Sequence, residues 1–178
     1  ATAQAYSGAE VIVNISASPY HLGRGDFRER MLGSRASNNM AIVAYNNLVG
    51  GQDELVFDGN SMVLDEKGRL IVRGKQFEED LVLADLDVEA VFQTRFHDPQ
   101  WRKDALPLKE QQWHATRIVI SETPSAAPKP PLPQRQLEVR SLQGDVYDAL
   151  VLGTRDYVRK NGFEKVLIGL SGGIDSSL

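Results

Sequence analysis

Five of the chain's eight prolines fall between residues 124 and 133. Proline fixes φ and lacks a backbone donor, so this stretch cannot form a buried helix or a central strand. Residues 121–136, SETPSAAPKPPLPQRQ, read as an extended connector between two globular parts. The alternative is a long surface loop within one domain. On the first reading the 178 residues divide into a part at 1–120, the connector at 121–136 and a part at 137–178.

The first part alternates strand and helix patterns. Glu10–Ile15 is short and β-branched, as a buried strand is. Asp26 is a candidate N-cap for a helix running to about Met40, with the charged run Asp26–Arg35 as its solvated face. Ala41–Tyr45 turns apolar again. Ser61–Leu64 and Leu70–Arg73 flank Asp65-Glu66-Lys67-Gly68, a hairpin signal. Leu81–Leu86 is a further candidate strand, and Val88–Phe92 opens a candidate helix. The order predicts a layered α/β domain.

The second part predicts an amphipathic helix from about Leu137 to Lys160, because Val139, Leu142, Val146, Leu150 and Tyr157 recur at helical spacing. Asn161-Gly162 supplies its C-terminal stop. Lys165–Leu170 then reads as a parallel-type strand, followed by Gly169-Leu170-Ser171-Gly172-Gly173-Ile174-Asp175-Ser176. Glycines let backbone amides turn toward one point and form an anion-binding concavity. The Ser171 and Ser176 hydroxyls add donors, and Asp175 is placed to hold a magnesium ion (Mg2+) beside phosphates. The loop thus reads as an ATP pyrophosphate site. It lacks the Gly-Lys-Ser/Thr element of a Walker loop. An ordinary tight turn between strand and helix is the alternative.

Two other stretches carry polar groups. Asn14–Tyr20 ends the first strand and leads to Gly23-Arg24. Ser18 can hydrogen-bond a small polar ligand there, and Arg24 can pair with a carboxylate. A Ser-Pro turn beside a solvated arginine fits the same residues. Gly50–Ser61 holds three carboxylates, and its turn-rich composition favours a structural role over acid–base chemistry. Trp101 and Trp113 are isolated and read as packing residues, and His21, His97 and His114 have no metal-ligand spacing. There is no cysteine, which excludes disulfides and a cysteine nucleophile within these residues. A net charge of −4 argues against a nucleic-acid-binding surface. No apolar run approaches the ~20 residues that span a bilayer. No secretory signal opens the chain, and a cytoplasmic setting is expected.

The order NISASPYHLGR, VGGQDELVFDGNS, proline-rich connector, GLSGGIDSS resembles the glutamine-dependent NAD synthetases. That family fuses a nitrilase-like glutaminase domain to an ATP-pyrophosphatase synthetase domain. The GMP synthetases share the glycine loop, but residues 1–120 do not resemble their glutaminase part. The resemblance implies the C-terminal part of an α-β-β-α sandwich, a connector, and the start of a Rossmann-like PP-loop domain. It implies that glutamine hydrolysis through a thioester supplies ammonia, that ATP adenylates the carboxylate of deamido-NAD, and that ammonia displaces AMP to give NAD. By the same resemblance Ser18 and Arg24 meet glutamine, residues 169–176 meet ATP, and Asp175 meets magnesium. Many members carry lysine where Arg24 stands. The family's catalytic Glu, Lys and Cys precede the region matching residue 1, and its deamido-NAD site follows Leu178. The 178 residues are therefore expected to be an internal piece, catalytically inert, poorly stable and rich in exposed apolar surface. The whole protein is expected to be a homo-oligomer. A stand-alone carbon–nitrogen hydrolase and a non-catalytic nucleotide-binding module are the competing readings, and the connector followed by a new helix and strand argues against the former.

Overall fold

Two neighbouring β-branched segments, Val11–Ser16 and Ile42–Asn47, pair in parallel and set the layout of the first part. A parallel pair needs a crossover, and the helix between them supplies it. The computed structural model describes residues 1–101, 103–104, 116, 118–122, 130–132, 135 and 140–177. Its elements in chain order are α1 (Thr2–Tyr6), β1 (Val11–Ser16), α2 (Arg24–Asn38), β2 (Ile42–Asn47), β3 (Val49–Gln52), β4 (Leu55–Asp58), β5 (Met62–Leu64), β6 (Leu70–Arg73), α3 (Val88–His97), α4 (Leu142–Lys160) and α5 (Ile174–Ser177). One sheet runs β1-β2-β5-β6, antiparallel after the first pair, and β3-β4 is a separate hairpin.

Helix α2 packs on this sheet through a stripe at four-residue spacing. Leu32 and Ala36 meet Val43 and Tyr45 of β2 and Met62 and Leu64 of β5, with Leu70 at the margin. Burying each large aliphatic side chain there contributes roughly 1.5–3 kcal/mol. Arg28 lies one turn before Leu32 on the same stripe and is also buried. A second cluster joins Ala5, Ile12 and Ala41 under Trp101, whose ring stacks on Tyr6 at 4.1 Å. A third joins Phe77 to Ala149 and Leu152 of α4, with Tyr20, Val49 and Val56 against it. The third cluster ties the second part of the chain to the first.

Several expectations are corrected. Gly23, not Asp26, is the N-cap of α2, and Asp26 lies in its first turn. The run Asp26–Arg35 is not all solvated, because Arg28 turns inward to a carboxylate. The turn-rich stretch given a structural role is consistent with that reading: residues 49–58 form the β3-β4 hairpin, with the two-residue connection Asp53-Glu54. Leu81–Leu86 forms no strand, and its residues alternate between exposed and half-buried; the Leu81 carbonyl accepts from Arg135 at 2.9 Å instead of from a neighbouring strand. Helix α4 starts at Leu142, not Leu137, because Ser141 caps it by accepting from the Gly144 amide at 3.1 Å. Leu137 and Val139 lie outside the described residues, as do His114 and Trp113. Lys165–Leu170 makes no ladder: no described strand lies beside it, and Leu167 is fully exposed. Exposed apolar side chains are also present on β1, at Val13 and Ile15.

Candidate functional site

The parallel register places Ser16 opposite Asn47, so β1 and β2 end on the same side of the sheet. Ligands in α/β sheets gather outside the carboxyl ends of such strands. The Ser18-Pro19-Tyr20 segment leaves β1 at this point. Asn47 Oδ1 accepts from Ser18 N at 2.8 Å, and Asn47 Nδ2 donates to Ser18 O at 3.2 Å and to Asp58 Oδ1 at 3.4 Å. Arg28 Nη1 lies 3.0 Å from both Asp58 oxygens, and its Nη2 donates to Ser18 Oγ at 3.5 Å. Farther along, Tyr20 N donates to Val56 O of the hairpin at 2.7 Å. The Tyr20 ring meets Phe77 edge-on at 5.2 Å. Burial and the Asp145 and Asp58 carboxylates push the Tyr20 hydroxyl above the usual phenol value, with Arg140 opposing them.

Of the two residues matched to glutamine, Ser18 is half-buried and held on three sides. Arg24 is the first residue of α2, and its side chain is exposed. Its amide donates to His21 O at 3.1 Å, which closes the turn that follows Tyr20. The residues that hold Ser18 were not legible as a group. Arg28 lies in a charged helical run, Asn47 ends a strand, and Asp58 sits in a Gly-Asn turn signal. No spacing in the chain marks that the three meet.

The glycine loop at 169–176 stands apart. The hydrogen bonds described for it close within it or on Ser177. Ser171 N donates to Ser176 Oγ at 3.2 Å, the Ser171 and Ser176 hydroxyls lie 3.0 Å apart, and Ser176 and Ser177 hydroxyls donate to Gly173 O at 3.0 and 2.9 Å. Gly172 has φ of +83°. Asp175 is exposed in the single turn of α5. Among the described residues no group of three His, Cys, Asp or Glu side chains could hold a metal ion. A single carboxylate nevertheless suits magnesium, which usually takes one or two carboxylates with phosphates and waters.

The sheet, its crossover helix and the Ser18 segment fall within one protein family. Residues 2–96 match the carbon-nitrogen hydrolase family, and the chain belongs to it. Residues 146–178, which include α4 and the glycine loop, match NAD synthase. The chain is 47% identical to the glutamine-dependent NAD(+) synthetase of Aquifex aeolicus over 97% of its own length and 29% of the relative's. It is 43% identical to that of Thermotoga maritima over 96% of this chain and 29% of the other. Among solved structures it matches a glutamine-dependent NAD+ synthetase of Acinetobacter baumannii in complex with adenosine diphosphate, with a TM-score of 0.67 and 28% identity, over 97% of this chain and 26% of that one. The chain therefore spans less than a third of these relatives. No described helix is long and apolar enough to cross a membrane.

Proposed function

We infer that the chain serves in a glutamine-hydrolysing NAD+ synthase, in which residues 1–120 shape part of the glutamine site and residues 137–178 begin the ATP site. The observation that carries this reading is the occurrence of both family matches, in order, on one polypeptide. Ser18 and Arg24 meet glutamine. The backbone of residues 169–173 and the Ser171 and Ser176 hydroxyls meet the pyrophosphate of ATP, and Asp175 would hold magnesium. An ion held there would supply positive charge against the phosphates. The overall reaction joins ammonia from glutamine to the carboxylate of deamido-NAD through an adenylate, releasing AMP, pyrophosphate and glutamate. The setting is the cytoplasm, and the whole protein is a homo-oligomer. The 178 residues alone have no thiol, so they cannot form the thioester and should not hydrolyse glutamine.

The test is a graft in which these residues replace the aligned segment of the Aquifex aeolicus relative. The graft should make NAD from deamido-NAD with glutamine and ATP. Asp175→Asn in the graft should lower NAD formation from either glutamine or added ammonia. A folded graft that makes no NAD with either nitrogen source, or an Asp175→Asn graft that keeps full activity, would overturn the reading.

A further inference from the structure

Ser18 is gripped by both of its backbone groups, and the group that grips them is a single side-chain amide, that of Asn47. The geometry works only one way round. If the Asn47 amide were reversed, its NH2 would face the Ser18 N–H and its oxygen the Ser18 carbonyl, and both hydrogen bonds would be lost. The Asp58 carboxylate selects the working orientation, because it can only accept and so draws Nδ2 toward itself. Asp58 is fixed in turn by Arg28, which bridges both carboxylate oxygens. Arg28, Asn47 and Asp58 are 6%, 5% and 1% exposed. A buried ion pair is a poor source of stability, since apolar residues of similar volume often serve as well. What this pair produces is a direction: it orients one amide, and that amide orients Ser18.

With its N–H and carbonyl both engaged by Asn47, Ser18 has its hydroxyl left to offer a ligand. Among the described residues that hydroxyl has one long contact, from Arg28 Nη2 at 3.5 Å. We propose that Arg28, Asp58 and Asn47 are positioning residues for glutamine recognition, which hold the Ser18 hydroxyl at the carboxyl end of β1 so that it meets the substrate. This rests on the assignment of Ser18 to glutamine made above. Asn47 and Arg28 touch Ser18, and Asp58 acts through those two, so their effect belongs in KM for glutamine and not in the synthetase half.

The experiment uses the Aquifex graft, with glutamine and ammonia compared as nitrogen sources and the melting point recorded. Asn47→Leu and Asp58→Asn should each raise the glutamine KM at least about tenfold while the ammonia-supported rate stays within about twofold. A wild-type glutamine KM in both folded variants overturns the positioning role. Should either fail to fold, Arg28→Lys serves, because it keeps the charge beside Asp58 and loses the planar fork that reaches Ser18. A raised glutamine KM supports the role there, and an unchanged one overturns it. Ser18→Ala separates the two possible failures. An unchanged glutamine KM in that variant overturns the Ser18 assignment itself. A raised KM there, with none in Asn47→Leu, overturns only the positioning by Asn47.

Discussion

The Asp156 carboxylate accepts a hydrogen bond from the Gly51 amide at 2.8 Å, across 105 residues of sequence. One turn farther along α4, Lys160 Nζ donates to the Gly51 carbonyl at 2.5 Å and to Gln52 Oε1 at 3.2 Å. The two residues are spaced i, i+4, so one helix face holds both backbone polar groups of one residue, Gly51. The hairpin that carries Gly51 also accepts Tyr20 N through Val56 O at 2.7 Å. The first helix of the second part is thus seated on the element that supports the Ser18 segment.

That seat has no room for a side chain at position 51. A Cβ there would lie 3.0 Å from Gly153 Cα and 3.3 Å from the Asp156 Cβ. Gly51→Ala must therefore push α4 away from the hairpin and lengthen the Asp156 and Lys160 hydrogen bonds. It should destabilise the chain by about 1–3 kcal/mol, as overpacking against backbone does. Urea unfolding of the two proteins checks this, and an equal midpoint would mean that α4 is not seated as described.

Asp156 gives the same contact a pH signature. Burial raises its carboxyl, but the Gly51 amide, the Arg155 side chain and Lys160 outweigh burial, and its pKa lies below the usual carboxylate value. A group with a depressed folded pKa contributes stability that is complete above its unfolded value, about 3.9 for aspartate, and is lost as pH falls through the folded value. The stability difference between wild type and Asp156→Asn should hence be flat from neutral pH to about pH 5 and shrink below about pH 4. Unfolding curves from pH 7 downward measure it. A difference that does not change with pH would show that the carboxylate is not paired in the folded state.

The sheet was legible where one local signal sufficed. Val11–Ser16, Ile42–Asn47 and the hairpin around Asp65-Glu66-Lys67-Gly68 stand where β-branched runs and turn residues place them. The β3-β4 hairpin was not, because Gly50 and Gly51 suppress the strand signal that Val49, Val56 and Phe57 carry. The glycines are there for the close approach of α4, a tertiary cause with no local trace. Asp58 and Arg28 failed for a related reason. Each reads as a solvated charge on its own segment, and only the fold brings them within 3.0 Å. Lys165–Leu170 has the composition of a parallel strand, but a strand is defined by a neighbour, and none of the described residues provides one.

The turn between β5 and β6 depends on Gly68, which has φ of +81°. Asp65 Oδ1 shapes it by accepting from the Lys67 and Arg69 amides at 2.9 and 2.8 Å. A Cβ on Gly68 would also lie 2.9 Å from the Gly33 carbonyl carbon and 3.2 Å from Gly33 Cα in α2. Gly68→Ala therefore combines left-handed backbone strain with a backbone clash, and should cost about 2–4 kcal/mol. Because the clash pushes α2 off the sheet, near-ultraviolet circular dichroism from Tyr45 should weaken at temperatures where wild type is folded. An alanine variant as stable as wild type would contradict the packing of Gly33 on Gly68.

The Arg28–Asp58 pair separates stability from recognition. Asp58→Ala leaves the Arg28 guanidinium buried without its carboxylate, and such a loss typically costs about 3–5 kcal/mol. The double substitution Arg28→Met with Asp58→Leu removes both charges and fills the same space, so most of that stability should return. The Asn47 amide then has no carboxylate to fix its orientation, and Ser18 loses its guanidinium contact. In the Aquifex graft the double variant should melt near wild type and form NAD from ammonia, yet need far more glutamine. Melting curves and the two nitrogen-source assays on the same preparation decide the matter. If the double variant recovered glutamine use along with stability, the pair would be structural alone. If it recovered stability without glutamine use, the buried charges would be there to aim the Ser18 hydroxyl.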